Sequence, residues 1–366
     1  MSVIASKTRE FLIRRAPELR QTFRVTIAAG VTYIAYKFLG LQQGYWAVFT
    51  VLIVMQGSIG GTLGAATERM IGTLAGAVLG GLAAAFHSNT SLGIGIALVL
   101  VTCATVWGAA IRPQLRVAPV TAAIMLLTQP AGAPVEHFVI DRIIEIGLGG
   151  LIGVLAMVLI LPARSHGVVV TRSVAVLTRI QRLLLSEADA LERGEALTPS
   201  TEHPALRQAL MAVEQAMKDA DRERASRLAD HGIPAAIPRT LWRVRNDLVA
   251  IGNVLREPLP AQIASTLAPA AACLLRAEAE LTDRCATALN TVTVVSRNDV
   301  SSVHLAFTET FSGLRQSGAM RPLDFNAVGR TFGFAFALDS LHRDLTDLAD
   351  RIDEIATGIP ERTANS

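Results

Sequence analysis

Charge is scarce along much of the first half of this chain. The sequence of 366 residues holds 34 Lys and Arg and 31 Asp and Glu. Yet residues 23–163 contain only six basic residues (Arg24, Lys37, Arg69, Arg112, Arg116, Arg142) and four acidic ones (Glu68, Glu136, Asp141, Glu145). Burying an unpaired ion costs several kcal/mol, so a charge-poor stretch of about 140 residues excludes an ordinary soluble domain. Cysteine is also scarce. Cys103, Cys273 and Cys285 have no metal-ligand spacing and form no even-numbered framework, which predicts reduced thiols and no metal centre. The sequence contains no zincin helix, no nucleophile elbow and no paired-cysteine redox motif. The turn Gly57-Ser58-Ile59-Gly60-Gly61 lacks both the Gly-Lys-Ser/Thr ending and the preceding strand of a phosphate-binding loop. An enzyme reading thus has no positive support, and no cofactor is expected. The net charge of +3 is too small for a nucleic-acid footprint. The first apolar stretch begins only after twenty mixed residues and lacks a convincing cleavage site, unlike a secretory signal.

Apolar runs take the place of charge. The chain is 51% hydrophobic with a mean hydropathy of +0.41. A helix needs about 20 apolar residues to cross a bilayer, and residues 23–41, 70–86, 92–110 and 143–161 approach or meet that length. Two shorter runs, 45–55 and 117–127, read as further spans whose polar flanks face other helices. The expected fold is all-α: a polytopic membrane protein with six transmembrane helices followed by a helical cytoplasmic domain. The boundaries are 1–22 for an N-terminal arm, 23–163 for the membrane domain and 164–366 for a cytoplasmic bundle. Basic residues favour the cytoplasmic side of a membrane. They cluster in the N-terminal arm (Lys7, Arg9, Arg14, Arg15, Arg20) and in alternate loops (Arg69; Arg112 and Arg116; Arg164 and Arg172), which predicts both termini inside. Beyond residue 164 the pattern becomes amphipathic. Leu241, Val244, Leu248, Ile251 and Leu255 recur at helical spacing, as do Phe334, Leu338, Leu341, Leu345, Leu348, Ile352 and Ile355.

A shift of 73 positions aligns the two short runs with each other. It also places Gln56 on Gln129, Glu68 on Asp141, Arg69 on Arg142, Gly76 on Gly149 and Gly80 on Gly153. Three spans per unit would make this an inverted repeat, the architecture of many secondary transporters, with the interrupted segments near the substrate path. Arg69 and Arg142 read as residues opening the third and sixth spans. There they either snorkel in structural ion pairs or attract an anion to a mouth of a pathway. Gln56, Gln129, Tyr45 and Trp46 are pathway candidates, with helix tying and an interfacial aromatic belt as their plainer roles. Glu145, Glu68 and Asp141 are proton-coupling candidates. Gly72, Gly76, Gly80, Gly149 and Gly153 have the four-residue spacing of close helix packing.

The run Tyr45-Trp46-Ala47-Val48-Phe49-Thr50-Val51-Leu52-Ile53-Val54-Met55-Gln56, with Glu68-Arg69-Met70-Ile71-Gly72-Thr73-Leu74-Ala75-Gly76 after it, resembles the fusaric acid resistance family of aromatic acid exporters. That family's pattern ends the first run in Gln-Pro; here Gly57 replaces the Pro, while Gln129-Pro130 keeps it. The resemblance implies a bacterial inner-membrane protein of half the length of many members, and hence a homodimer. It also implies a small organic anion as substrate; since no nucleotide site is visible, proton-driven efflux is expected, with a periplasmic membrane-fusion protein as a further partner to look for among neighbouring genes. Two other readings stay open: a passive organic-anion channel, and a membrane anchor that recruits a partner.

Overall fold

The computed structural model describes residues 15–86, 90–128, 134–162, 164–197, 202–228, 233–297 and 299–358. Among these the chain is all-helical, with no strand. Twelve α-helices and one 3-10 turn form two compact units, one of Met1–Ser165 with Asp219–Ala229 and one of His166–Lys218 with Asp230–Ser366.

The first unit begins with α1 (Ala16–Phe38), α2 (Tyr45–Val54) and α3 (Ile59–Phe86). It continues with α4 (Ser91–Ile111), the 3-10 turn Pro113–Leu115, α5 (Ala118–Leu127) and α6 (Val135–Leu159). Three of these, α3, α4 and α6, are long and apolar enough to cross a membrane. The outward faces of all three are rich in exposed large hydrophobics, including Leu82, Leu100, Trp107 and Leu155, as suits lipid contact. This is a multi-pass membrane protein. The helices α2 and α5 have 10 residues each, about 15 Å at the α-helical rise, or half a hydrocarbon core.

Two helix starts differ from the sequence expectation. Instead of opening near residues 70 and 143, α3 starts at Ile59 and α6 at Val135. Ser58 caps α3 by accepting from the Gly61 amide at 3.1 Å, and the Gly- and Thr-rich turns that follow have too little hydropathy to register as a span. In α6 the charged residues interrupt the hydropathy signal but not the helix, and Glu136 in its first turn suits the positive end of the dipole. Arg69 and Arg142 therefore sit inside long helices, roughly 15 Å and 10 Å from their starts, where an N-terminal dipole no longer opposes them.

Each short helix packs on the long helix from the other half of the unit. A Cβ on Gly149 of α6 would lie 2.3 Å from the Ala47 carbonyl oxygen of α2, and one on Gly76 of α3 would lie 2.5 Å from the Ala118 oxygen of α5. Gly72 and Gly80 extend the α3 seat along Val117 and Ala122, and Gly153 extends the α6 seat to Val54. The long helices α3 and α6 also pack against each other.

The second unit is built from α7 (Ser165–Arg193), the first part of α8 (Glu202–Ala225), α9 (Ala236–Val254), α10 (Ala261–Thr291), α11 (Val300–Gln316) and α12 (Phe325–Thr357). The two sequence stripes fill its core: Leu241, Val244, Leu248 and Ile251 of α9, with Leu255 just past its end, and Phe334 to Ile352 of α12 are buried. Charge lies on the other faces, where Arg276 of α10 reaches Asp189 and Glu192 of α7 at 2.9 and 2.6 Å.

Candidate functional site

The link between α1 and α2 shapes the main polar cavity of the membrane unit. Gly40 ends α1 in the left-handed region (φ 66°), its amide donating to the Lys37 carbonyl while the Leu41 amide donates to Tyr36. This paired helix ending turns the chain sharply and presents Gln43 inward, with Gln42 at the exposed rim. Opposite them stands the first half of α6. A cavity of about 370 Å³ opens between the two, lined by Gln43, His137, Phe138, Asp141, Arg142 and Glu145, among others. Its size falls within the usual range for small-molecule sites, about 300–1,000 Å³.

Arg142 is the centre of this cavity and is only 2% exposed. One terminal nitrogen meets Glu145 at 3.5 Å and the other donates to the Gln43 side-chain oxygen at 2.8 Å. Its guanidinium carbon lies 4.5 Å from the centroid of the Trp46 ring and 5.5 Å from that of Phe138. A cation between two ring faces gains from their quadrupoles, most of all where water is excluded. The group is not saturated: the Arg142 Nε, the Glu145 Oε1 and the Trp46 Nε1 are buried without a hydrogen-bond partner. Glu145 is 1% exposed. A buried ion pair with spare donor and acceptor capacity beside a cavity can exchange one partner for an incoming ion.

The other sequence candidates fall in different places. Trp46, Asp141, Arg142 and Glu145 come together here, and Tyr45 lies at the exposed edge with its ring 5.6 Å from that of Trp46. Arg69, half-buried on the facing helix α3, is close enough for Arg142 to feel its charge. Gln56 is elsewhere, exposed in the α2–α3 link, where its amide donates to Thr62 at 2.9 Å. Glu68 faces the end of α8, where Arg222 reaches it at 3.6 Å. Asp219 and Arg222 there also pack over Gly60 and Gly64. Gln129, with Pro130, lies outside the described residues.

Sequence reasoning missed two residues. Gln43 was part of a charge-poor loop with no periodic signal, and only the helix ending at Gly40 brings it to Arg142. Arg24 was visible as a charge just inside the first apolar run. It is buried in α1, donating to Gln21 at 3.1 Å and lying 3.8 Å from the Met157 sulfur.

Comparison with known proteins agrees with this membrane architecture. Residues 28–156 match the family model described as fusaric acid resistance protein-like, so the resemblance carried by the Tyr45–Gly80 block holds across the membrane region. The chain is also 30% identical over 94 residues to the uncharacterized protein YhfK of Escherichia coli (strain K12). That alignment covers 26% of this chain and 13% of the relative, so most of YhfK has no counterpart in the match.

Proposed function

From a membrane region that matches the fusaric acid resistance-like family, we propose that this protein moves organic, above all aromatic, carboxylates out across the bacterial inner membrane. The observation that carries the reading is Arg142, buried between two aromatic rings, paired with Glu145 and open to a cavity of about 370 Å³. Guanidinium binds a carboxylate through parallel hydrogen bonds, and Phe138 in the cavity wall offers a face to the substrate ring. The crossed packing of short on long helices supports a three-plus-three inverted repeat and six spans, and the basic residues of the N-terminal arm and alternate loops favour both termini inside. Two copies of the chain would complete the assembly, and a periplasmic fusion protein would continue the path.

Arg142 must release Glu145 to take a substrate carboxylate. Protonating Glu145 helps that release, so proton and anion favour one another's binding. Proton-driven export needs the opposite, with the proton entering as the anion leaves. The force that suits this pair is the membrane potential, which provides about 2.3 kcal/mol per charge for each 100 mV. Efflux of labelled benzoate from proteoliposomes tests the proposal, with acetate as the non-aromatic comparison. The expected result is protein-dependent efflux, faster with an outside-positive potential, lost in Arg142→Gln and independent of pH in Glu145→Gln. Efflux that ignores the protein would end this reading. Efflux driven by an inward proton gradient at zero potential would restore proton exchange. Unitary conductance steps would favour a channel.

A further inference from the structure

The second unit has a cavity of its own, of about 280 Å³, where the second half of α7, the start of α8 and the end of α9 converge. A backbone bond from the Leu197 amide to the Leu255 carbonyl, at 2.8 Å, joins the segment after α7 to the end of α9 beside it. Glu187 of α7 lines the cavity, is 1% exposed, and has no hydrogen bond or ion pair to either carboxylate oxygen among the described residues. Leaving a buried carboxylate unpaired is costly, and side chains in that state take up a proton or meet a ligand. Three further polar groups border the same space. His203 has an unpartnered Nδ1, Arg245 has an unpartnered Nε, and Arg256 adds a second guanidinium. Leu183 and Val249 supply an apolar wall. Gly252 forms part of the lining, where a Cβ would come within 3.4 Å of the His203 Nε2 and 3.7 Å of the Glu187 Oε1.

The cavity therefore holds one unpartnered carboxyl group and two guanidinium groups that do not pair with it, with apolar surface beside them. We propose that it binds a small zwitterion of the amino-acid type. The ligand's ammonium would lie on Glu187, its carboxylate on Arg245 and Arg256, and its aliphatic body on Leu183 and Val249. The volume is at the lower edge of known small-molecule sites, about 300 Å³, which suits one small metabolite rather than a nucleotide or a peptide. The ligand chemistry differs from that at Arg142, where an arginine already paired to a carboxylate suits an anion alone.

Burial pushes Glu187 well above the usual carboxylate range, which favours its protonated form. The groups facing it are His203 from α8, Arg245 from α9 and Arg256 just past the end of α9. Burial and the Arg245 charge keep His203 below its ordinary value, hence neutral. An ammonium arriving at Glu187 displaces that proton, and binding weakens as the pH falls.

Calorimetry on the full-length protein in detergent tests the site with L-leucine as the probe. The comparison ligands are 4-methylpentanoate, which lacks the amine, and 3-methylbutylamine, which lacks the carboxylate. Leucine should bind about tenfold or more tightly than either, because each leaves one buried charge unmatched. Its binding enthalpy should vary with the ionisation enthalpy of the buffer, reporting proton release. Glu187→Gln should abolish the preference for leucine over 4-methylpentanoate while keeping or raising thermal stability, and Arg245→Gln should abolish the preference over 3-methylbutylamine. The proposal is overturned if leucine gives no heat at millimolar concentration, if it binds no better than both single-charge ligands, or if a folded Glu187→Gln protein binds it unchanged.

Discussion

Exposed and buried apolar side chains have opposite meanings in the two units. In the second unit the leucines of α9 and α12 face inward and charge faces out, the arrangement water imposes on an amphipathic helix. In the first, α4 leaves Leu92, Val99, Leu100 and Trp107 outside, while backbones meet at Gly76 and Gly149. Lipid gives a leucine no reason to leave the surface, so cohesion there comes from close backbone approach and buried polar pairs. Stability is stored in different residue types in the two units.

The largest test of that contrast is Arg142→Ala, which leaves Glu145 buried without its ion and should cost about 3–5 kcal/mol. The readout is a lowered apparent Tm in detergent. Adding Glu145→Gln should restore stability without restoring transport. Next comes a matched pair of truncations. Leu248→Ala in the α9 core should cost about 2–5 kcal/mol. Leu100→Ala on α4 should change stability by less than about 0.5 kcal/mol, because its side chain meets lipid in every state. Equal losses at the two positions would break the comparison.

A smaller effect concerns Asp247 on α9, whose carboxyl is pushed up to about 6 by burial and by the neighbouring Asp344. The folded state then holds a proton that the unfolded carboxylate, at 3.8, has lost. Stability therefore falls as the pH rises through that window. Asp247→Asn should raise the apparent Tm at neutral pH, with no gain below pH 3.8. The mildest test uses the thiols and leaves stability untouched. Cys103 and Cys273 are both exposed, but only Cys273 should react with a charged, membrane-impermeant maleimide in proteoliposomes. Cys285, buried and with its thiol pushed up to about 12, should remain unmodified.

Composition and periodicity made the helical class legible, and the buried stripes of α9 and α12 coincide with the periodic leucines. Hydropathy measures the surrounding medium rather than the helix, which is why it missed the first turns of α3 and α6. The Arg142 cluster was half-readable: Trp46, Arg142 and Glu145 stood out as exceptions in apolar runs, while Gln43 acquired its place only through the turn at Gly40. The cavity at Glu187 was invisible in the sequence. Its walls come from three separate helices of an ordinary charged composition, and only folding reveals that one carboxylate has been left without a partner.

The crossed seating of short on long helices has a consequence for biosynthesis. As the chain leaves the ribosome, α2 emerges as an apolar helix of 10 residues, too short to span the bilayer unaided. Its glycine seat on α6 does not yet exist, and every helix between them must be inserted first. The seat of α2 on α6 therefore forms only once Val135–Leu159 has been made, although α1 already packs against α2. Closing the α2–α6 seat is thus a late step, whereas α3 and α5 have their shared seat before α6 exists, and a ribosome stalled before α6 would leave the α2 seat unmade.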